Sequence, residues 1–509
     1  MFSLITLFAN WNLKRRIRQI EYFMANPVEV QNDHLQQMVR AAALTEWGKK
    51  YNYSDIETLD DFRREVPVSH YEDIFPYIER MLAGESDMLW HGEVEWFAKS
   101  SGTSNDKSKY IPITEASLHD CHYRAGRDLL AIYFHFHNPD SHIFDGKILS
   151  IGGSHEANAQ NTHVRYGDLS AVLLENLPIF FEWIRTPSKK VALMSNWEEK
   201  LEAMCAELLG EDVRAIVGVP TWTLLLIQKM FEKTGNSAQN LSQLWQHLEV
   251  FFHGGVNFAP YKENFRKILK HEIYFVNIYN ASEGFFGIQL VREDEDMLLM
   301  LDYGIFYEFA LVEDLSLSYP KTYTLADVEL NQNYAMIIST NGGLWRYIIG
   351  DTLVFTSLCP HKIRITGRTK HFINAFGEEL MVDNAEKGIE EACKRTGALV
   401  KEYTAAPIYF STETKKGGHE WLIEFDILPK DMELFQKTLD QTMQRLNSDY
   451  EAKRKGDMIL AFPTLRVVPQ GTFYAWMKQR NKLGGQHKVP RLSNNRSYVE
   501  NILALLATK

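Results

Sequence analysis

Residues 273–284 read Ile-Tyr-Phe-Val-Asn-Ile-Tyr-Asn-Ala-Ser-Glu-Gly, a β-rich run that ends in an aromatic ring and a carboxylate. The run Ile273–Tyr279 is short and rich in β-branched and aromatic residues, which predicts a strand. Tyr279 and Glu283 then stand at the carboxyl end of that strand, where the sheets of α/β proteins present ligand sites. The segment therefore predicts an α/β fold with a binding site at this strand end.

Three further β-rich runs precede this strand and alternate with helical patterns. The runs are Lys147–Ile151, Ala215–Val219 and Leu248–Phe252, and the amphipathic stretches Trp197–Leu209 and Thr223–Lys233 lie between them. Such alternation is typical of α/β layers that contain a largely parallel sheet. We therefore expect these four strands to be neighbours in one sheet.

The pattern differs on either side of this block. Apolar residues recur at helical spacing through Leu35–Trp47 and Tyr71–Leu82, so the first hundred residues are predicted to be mostly helical. Residues 298–355 instead carry longer strand-like runs with little helix. Leu298–Val312 and Ala335–Thr340 predict antiparallel or barrel-like strands. The fold class we expect is a large α/β domain of layered sheets with a β-barrel-like part.

The character of the chain changes again near residues 364–376, and the remaining C-terminal residues are enough for a small domain. The predicted elements are a helix Asp383–Arg395, strands Ala406–Ser411 and Trp421–Ile427, a helix Lys430–Leu446 and a strand Thr464–Val468. We predict a large N-terminal domain, residues 1–367, and a smaller, mobile α+β C-terminal domain, residues 368–509, joined by a short hinge.

The composition excludes several classes of function. The 509 residues are 45% hydrophobic and 24% charged, as in ordinary globular proteins. A net charge of −11 leaves no general basic field to attract nucleic acid. The four cysteines are isolated, which argues against a disulfide framework and favours a reducing compartment. The N-terminal apolar stretch is too short to span a bilayer, so we expect a cytoplasmic protein with no membrane span.

Residues 97–112 contain the most informative loop, Phe-Ala-Lys-Ser-Ser-Gly-Thr-Ser-Asn-Asp-Lys-Ser-Lys-Tyr-Ile-Pro. Hydroxyl side chains surround Gly102, and lysines come closely after it; the residues are Ser100, Ser101, Thr103, Ser104, Lys107 and Lys109. Small hydroxyl residues donate hydrogen bonds to phosphate oxygens, and a lysine supplies a positive charge. The segment lacks the P-loop spacing. Taken alone, it fits a phosphate-binding loop and a polar surface loop equally well.

Two later segments carry groups that suit a nucleotide. Residues 342–351, Gly-Gly-Leu-Trp-Arg-Tyr-Ile-Ile-Gly-Asp, supply in Asp351 a carboxylate that could accept hydrogen bonds from two ribose hydroxyls. Residues 365–370, Ile-Thr-Gly-Arg-Thr-Lys, lie where the chain changes domain and carry Arg368 and Lys370.

These segments, in this order, resemble the adenylate-forming superfamily, and more closely the Gretchen Hagen family of acyl acid amido synthetases. That family comprises the auxin-responsive proteins of plants and their bacterial relatives, and this chain resembles a bacterial-type member. The similarity rests on the Ser-Ser-Gly-Thr-Ser loop, the Tyr-x-x-Ser-Glu segment and the Trp-Arg-Tyr-x-x-Gly-Asp segment. Residues 485–491, Gly-Gln-His-Lys-Val-Pro-Arg, resemble its C-terminal lysine motif. The resemblance runs from about residue 97 to residue 491.

The resemblance implies ATP and Mg²⁺ as cofactors and a role for each matching residue in binding them. The implied nucleotide-binding residues are Ser100, Ser101, Thr103, Ser104, Lys109, Gly254, Gly255, Tyr279, Ser282, Glu283 and Asp351. Among them, Tyr279 would stack on adenine, Asp351 would hold the ribose, and Glu283 would bind the metal ion. Gly254 and Gly255 would border the adenine pocket.

The resemblance also implies the catalytic residues. Lys488 would stabilise charge on the α-phosphate during adenylation, and Arg368 would reach the ribose or phosphate. Lys370 matches the superfamily's hinge position, about which the small domain would swing. The implied reaction is adenylation of a carboxylic acid, and then transfer of the acyl group to an amino acid or other amine. The partners would be these small molecules, and we expect a monomer.

Two positions depart from the plant pattern. Asp106 stands where plant members usually have glycine, which puts the conformation of the loop in question. Ile348 stands where they have arginine, which suggests altered support for Asp351 and not a loss of ribose binding.

The acid cannot be identified from the sequence. Tyr123 and Arg124, in the helix expected over Thr114–Phe134 beside the phosphate loop, are candidates for the acyl pocket, although a surface salt bridge is the preferred explanation for an arginine there. Trp222 and Thr223, which come after the predicted strand Ala215–Val219, are further candidates for that pocket.

Each choice has a plainer explanation as well. Glu283 could pair with a lysine, Asp351 could be a turn residue, and Tyr279 could be core packing. Arg368 and Lys370 could be charges on an exposed strand edge, and Lys488 a solvated lysine. Two other functions stay open: an acyl-CoA ligase on the same scaffold, and a catalytically silent protein that binds a nucleotide or an acid.

Overall fold

The structure is a computed structural model, and it describes all residues except 1, 101–108, 154, 158–162, 178, 237–238, 257, 293, 318, 370–371, 411–415, 458, 481–488 and 508–509. The α-helices of the described residues are α1 Phe2–Ala25, α2 Pro27–Ala42, α3 Glu46–Lys50, α4 Leu59–Glu65, α5 Tyr71–Leu82, α6 Arg124–Ile132, α7 Leu169–Glu175, α8 Ile179–Ile184, α9 Lys189–Ala192, α10 Trp197–Leu208, α11 Pro220–Thr234, α12 Ala259–Ile268, α13 Val382–Thr396, α14 Met432–Leu446, α15 Ser448–Arg454, α16 Thr472–Gln479 and α17 Ser497–Ala507.

The strands of the described residues range from two to twelve residues in length. They are β1 Trp96–Ser100, β2 Lys109–Ile113, β3 Lys147–Ser150, β4 His155–Ala157, β5 Arg165–Gly167, β6 Arg185–Thr186, β7 Val213–Gly218, β8 Val250–His253, β9 Tyr274–Ala281, β10 Gly284–Gln289, β11 Met297–Leu299, β12 Ile305–Leu311, β13 Asn333–Thr340, β14 Tyr347–Leu358, β15 His361–Arg368, β16 Phe372–Ile373, β17 Leu380–Met381, β18 Leu399–Ile408, β19 Gly418–Ile427 and β20 Thr464–Val468.

The helical N-terminal region forms because its apolar residues recur at helical spacing. In α5, whose predicted bounds are confirmed, Tyr71, Ile74, Ile78 and Met81 are buried on one face. The Asp73 carboxylate accepts a hydrogen bond from the His70 backbone N–H at 2.8 Å, which caps the start of this helix.

The four predicted strands lie side by side in one sheet of 11 strands, with the order β12-β13-β14-β15-β11-β10-β9-β8-β7-β3-β6. Strands β9, β8, β7, β3 and β6 pair in parallel. All four residues of β8 are buried, as expected for a parallel strand covered on both faces. The prediction of an α/β layered fold is confirmed.

The antiparallel strands continue this same sheet. β10 pairs antiparallel with β9 and β11, and β15 joins β11 to β14 and β13. The prediction of antiparallel strands over Leu298–Val312 is confirmed. The chain turns at Gly304, where φ is +65°, and so divides the run into β11 and β12. These two strands occupy separate positions in the sheet, and β12 pairs with β13 at its edge.

The described residues form two compact units. The first unit consists of the described residues within 1–100, 110–255 and 265–369. The second consists of the described residues within 101–109, 256–264 and 370–509. A four-stranded sheet with the order β2-β1-β5-β4 accompanies the large sheet. In the second unit, β18, β19 and β20 form a sheet, and α13 contacts α14. The helices and strands predicted there are present, and their bounds agree to within about three residues except at β18, which begins at Leu399 and not at the predicted Ala406.

The described side chains of the N-terminal helix pack on the protein. Ile17, Ile20 and Phe23 of α1 are buried, and the Arg16 guanidinium donates to Asp128 at 2.7 Å. Among the helices that the structure describes, none combines the length and the apolar character needed to cross a bilayer.

Candidate active site

Two of the sequence segments meet at a single hydrogen bond. The Tyr279 hydroxyl, near the end of β9, donates to Asp351 Oδ2 in β14 at 2.6 Å, across 72 residues of chain. Both side chains are buried, with 9% and 7% of their surface exposed. In the sheet, β9 and β14 are four strand steps apart, which would be roughly 19 Å in a flat sheet. The sheet therefore curls on itself here, and the curl brings the two side chains together.

The glycine pair after β8 lies against the same part of β9. A Cβ atom on Gly254 would be 2.6 Å from the Ile278 carbonyl oxygen and 3.3 Å from Asn280 Oδ1. Gly255 has φ of +80°, a conformation that glycine adopts without strain. Because Gly254 has no side chain, the residues after β8 can lie close to β9, the strand that carries Tyr279. A larger residue at position 254 would not fit.

Glu283 lies in the tight turn between β9 and β10, half-buried beside Ser282. Its carboxylate is one of the charges that act on the Tyr71 phenol, whose pKa is raised mainly by burial. The Tyr71 oxygen in turn accepts a hydrogen bond from the Tyr110 backbone N–H at 2.7 Å. Tyr110 lies in β2, just after the hydroxyl-rich loop. Because Tyr71 contacts Tyr110 and also interacts with the Glu283 charge, Glu283 lies near the start of β2.

The segment that carries Asp351 is held firmly by the core. Arg346, 5% exposed, donates to both carboxylate oxygens of Glu308 at 2.8 and 2.9 Å. The Ser69 backbone N–H donates to the Arg346 carbonyl at 2.9 Å. Asp351 pairs with Arg368 across β14 and β15. The carboxylate of Asp351 is therefore presented from a fixed strand.

Three residues proposed for an acyl pocket, Tyr123, Arg124 and Thr223, form hydrogen bonds within the protein. The Tyr123 hydroxyl donates to the Leu173 carbonyl at 3.0 Å. Arg124 donates to Asp120 at 2.9 Å and to the Asp302 carbonyl at 2.8 Å, as the salt-bridge explanation predicted. Thr223 is fully buried in α11, with its hydroxyl on the Val219 carbonyl, and Trp222 is half-buried beside it.

Comparison with known proteins identifies the family. The GH3 family N-terminal domain matches residues 16–273, the GH3 central domain residues 298–368, and the GH3 C-terminal domain residues 383–497. The chain belongs to the GH3 family.

Curated relatives of this GH3 chain are amide-forming ligases. It is 24% identical to the probable indole-3-acetic acid-amido synthetase GH3.1 of Arabidopsis thaliana, over 96% of this chain and 92% of that protein. It is 22% identical to the 4-substituted benzoates-glutamate ligase GH3.12 of the same plant, over 93% of this chain and 94% of the relative.

Solved structures share the fold. The GH3.15 acyl acid amido synthetase has a TM-score of 0.61 at 18% identity, and the match covers 96% of this chain and 95% of that one. A 2-hydroxyisobutyryl-CoA ligase has a TM-score of 0.56 at 13% identity, with coverage of 95% and 93%. The predictions of the family and of the fold class are confirmed.

The structure of the GH3 chain explains one departure from the plant pattern. Ile348, 8% exposed, packs with Ala310 and Ile337 in a small apolar cluster. The position that carries arginine in plant members is therefore part of a hydrophobic contact in this chain.

Several predicted site residues lie outside the described residues. These are Ser101, Thr103, Ser104, Lys370 and Lys488. Arg368 is described in its backbone, at the end of β15, and not in its side chain. Ser100 ends β1 and Lys109 begins β2, on either side of the loop 101–108.

Lys200, which no sequence motif singled out, supports the loop after β3. Its ammonium donates to the carbonyls of Gly152 and Gly153 at 2.5 and 3.1 Å, and only 2% of the residue is exposed. Burial lowers the pKa of Lys200 to about 8. Ile151, just before this loop, lies beside Gly218 at the end of β7. A lone lysine in an amphipathic helix gave no local signal of this role.

Proposed function

We propose that this GH3 chain synthesises an amide from a carboxylic acid, ATP and an amino acid or other amine. In the first step a substrate carboxylate oxygen attacks the α-phosphorus of ATP, the P–O bond to the leaving group breaks, and pyrophosphate departs. In the second step the amine attacks the acyl carbonyl, AMP leaves, and the amine loses a proton. The observation that supports the proposal is the hydrogen bond between Tyr279 and Asp351, the two residues to which the resemblance assigns adenine and ribose.

The nucleoside half of ATP would lie at this contact. The Tyr279 ring would stack on adenine, with Gly254 and Gly255 along the border of the base pocket. The Asp351 carboxylate accepts a hydrogen bond from Tyr279, and a carboxylate can accept several hydrogen bonds at once, including those of ribose hydroxyls. Arg368, its neighbour across β14 and β15, would reach the ribose or phosphate.

The polyphosphate would bind at the loop between β1 and β2. Ser100, Ser101, Thr103 and Ser104 would donate hydroxyl hydrogen bonds to its oxygens, with Ser282 and Lys109 adding a donor and a charge. Glu283 fits as the protein ligand of Mg²⁺, because a half-buried carboxylate at a turn is a hard oxygen donor. The metal would neutralise phosphate charge when bound.

The main catalytic demand is to bring two anions together and to neutralise the charge that develops on the phosphate. We assign this role to Lys488 and Arg368. The C-terminal domain, residues 368–509, would swing about Lys370 between the two steps, so that Lys488 leaves and the amine enters. Glu283, Lys488 and Arg368 together would supply the electrostatic part of catalysis.

The molecule that accepts the acyl group distinguishes the proposed amide synthesis from the second candidate function, an acyl-CoA ligase. A CoA ligase with a TM-score of 0.56 shares the fold alone, so thioester formation on the same scaffold is the second candidate. The experiment incubates the protein with ATP, Mg²⁺, a pool of indolyl, aryl and aliphatic acids, and either the twenty amino acids or CoA. We expect mass spectrometry to detect an acyl amide. Thioester formation without any amide would favour the CoA ligase, and ATP binding without either product would favour a silent protein.

A further inference from the structure

The loop that follows β3 is held by side chains from two helices. We refer to Ile151–Gly153 as the β3 loop. The Lys200 ammonium of α10 donates to the carbonyls of Gly152 and Gly153 at 2.5 and 3.1 Å. From α7, the Ser170 hydroxyl accepts a hydrogen bond from the Gly153 backbone N–H at 2.8 Å. The β3 loop is therefore fixed in position between α7 and α10.

The β3 loop also packs tightly against the start and the middle of α7. A Cβ atom on Gly152 would lie 2.6 Å from Leu174 Cδ1, and a Cβ atom on Gly153 would collide with the Asp168 carboxylate. Burial of an ammonium costs free energy, and Lys200 is only 2% exposed. What the buried ammonium provides in return is two hydrogen bonds to the β3 loop, which an apolar side chain of the same length could not donate.

A series of contacts connects the β3 loop with the glycine pair after β8. The Ile151 Cβ atom lies 3.7 Å from the position that a Cβ atom on Gly218, at the end of β7, would take. The next residue, Val219, has its Cγ2 atom 3.4 Å from the position of a Cβ atom on Gly255. Because β3, β7 and β8 are neighbouring parallel strands, their carboxyl ends form one continuous edge within the first unit.

This edge is suited to an apolar ligand. Ile151, Gly218 and Val219 are each only half-buried, so two aliphatic side chains and a glycine are partly accessible there. The Thr223 hydroxyl lies 3.6 Å from the Cβ position of Gly218, which places one of the acyl-pocket candidates beside the same edge. The carboxyl ends of parallel strands are where α/β sheets bind their ligands.

The proposed reaction requires the carboxylic acid to lie beside the nucleotide, because the acid attacks the α-phosphorus of ATP. With the nucleoside at Tyr279 and Asp351, the ends of β7 and β3 continue the same edge of the sheet. We propose that Lys200 is a positioning residue for the carboxylic acid: its hydrogen bonds fix the β3 loop, against which the apolar body of the acid lies. This inference rests on the proposed function, and it favours an acid with an aryl, indolyl or aliphatic body.

The two substrates separate this role from a general effect on folding. If Lys200 fixes the surface that contacts the acid, its loss should raise KM for the acid and leave KM for ATP within about twofold of wild type. A variant that is merely less stable would lose kcat in proportion to its unfolded fraction, and both KM values would stay unchanged.

The charge of Lys200 supplies a second means of distinction. Burial lowers the pKa of Lys200 to about 8, and the negative charge of Asp168 opposes this shift. Above that pH the neutral amine donates weaker hydrogen bonds to the two carbonyls than the ammonium does. The ratio of KM for the acid between Lys200→Met and wild type should therefore be largest below pH 8 and fall as the pH rises through 8.

The experiment measures ATP–pyrophosphate exchange with benzoate, indole-3-acetate and hexanoate as aryl, indolyl and aliphatic probes. For the probe that gives the fastest exchange, we expect Lys200→Met to raise KM for the acid by about tenfold, since two hydrogen bonds from a charged donor are lost. Ser170→Ala removes the hydrogen bond on the other side of the β3 loop and keeps the lysine. It should raise the same KM by about fivefold, and it tests the inference independently of how well Lys200→Met folds.

Lys229→Met is the matched control, because it removes a lysine of α11 that pairs with Glu202 of α10 at 2.9 Å and leaves the β3 loop intact. Both of its KM values should stay near wild type. An unchanged KM for the acid in Lys200→Met and Ser170→Ala, an equal rise of both KM values, or a ratio that does not depend on pH would overturn the inference alone. Absence of exchange in the wild type with all three probes would overturn the proposed function and the inference with it.

Discussion

The Asp351 carboxylate accepts a hydrogen bond from the Tyr279 hydroxyl at 2.6 Å, and this contact determines which further hydrogen bonds the carboxylate can accept. A carboxylate buried to 7% exposure needs hydrogen-bond donors, and its two oxygens can accept from several of them at once. Two ribose hydroxyls are donors of the required kind. The contact therefore favours nucleotide binding at this position over a simple turn residue, which is the plainer interpretation of Gly350-Asp351 in isolation.

Replacing Asp351 by asparagine tests this role. The amide keeps the shape and one acceptor oxygen, and it loses the negative charge that strengthens hydrogen bonds from ribose. Because hydrogen bonds to charged groups contribute about 1.5–3 kcal/mol, we expect KM for ATP to rise by roughly ten- to a hundredfold. The measurement is ATP–pyrophosphate exchange at varied ATP. Asp60→Asn, an exposed aspartate in α4, serves as the control, and an unchanged KM in Asp351→Asn would refute the ribose assignment.

Other residues of the site could not be predicted because their partners are remote in sequence. Arg346 lies in the Trp-Arg-Tyr motif, yet its partner Glu308 belongs to another strand. Tyr71 was predicted as part of a helix, and its contact with Tyr110 lies 39 residues away. Local pattern shows that a residue is apolar or polar, and it does not show which distant group will face it.

The elements themselves were largely predictable. The four β-rich runs became neighbouring strands, and α5 has its predicted bounds, because strand and helix periodicity are local properties. The curl that brings β9 to β14 was not predictable, since it depends on the order of eleven strands in one sheet. The point at which Leu298–Val312 divides was not predictable for a related reason: the apolar run continues through the turn at Gly304, so its period gives no break.

The approach of β8 to β9 leads to a prediction for Gly254. In Gly254→Ala, the added Cβ would lie 2.6 Å from the Ile278 carbonyl oxygen, so the strand ends must move apart. We expect the variant to lose about 1–3 kcal/mol of folding free energy and to bind ATP more weakly. Urea unfolding and exchange kinetics measure the two effects. Gly126→Ala, where a Cβ meets no atom within 4 Å, is the matched control, and equal behaviour of the two variants would contradict the packing argument.

Lys200 of α10 donates hydrogen bonds to the loop after β3, and its burial leads to a prediction for how the stability of the protein depends on pH. Burial lowers the pKa of Lys200 from 10.5 to about 8, so the unfolded chain binds more protons than the folded chain between these values. The cost of burying the charge is fully present below pH 8 and is relieved as the pH rises towards 10.5. Relative to Lys200→Met, the wild-type free energy of unfolding should therefore increase by about 2–3 kcal/mol across this window. Denaturant unfolding at several pH values measures it, and a constant difference would contradict it.

On the scale of the whole molecule, the central question is how the two units share the reaction. The first unit contains Tyr279, Glu283 and Asp351, and the second contains Val489–Arg496, the residues directly after Lys488. Three GH3 domains match in order along most of the chain, and the curated relatives cover it nearly end to end. The division of labour we propose assigns the adenine, ribose and metal sites to the first unit and the catalytic lysine to the second.

Acid-dependent ATP–pyrophosphate exchange is the measurement that tests this account most directly. With pooled indolyl, aryl and aliphatic acids, the wild type should exchange label with at least one pool. Lys488→Ala should reduce that rate by on the order of a hundredfold, by comparison with loss of one donor to a developing oxyanion. Lys478→Ala, an exposed lysine of α16, should leave it unchanged. Measurable ATP binding with no exchange in any acid pool, or full exchange in Lys488→Ala, would contradict the account.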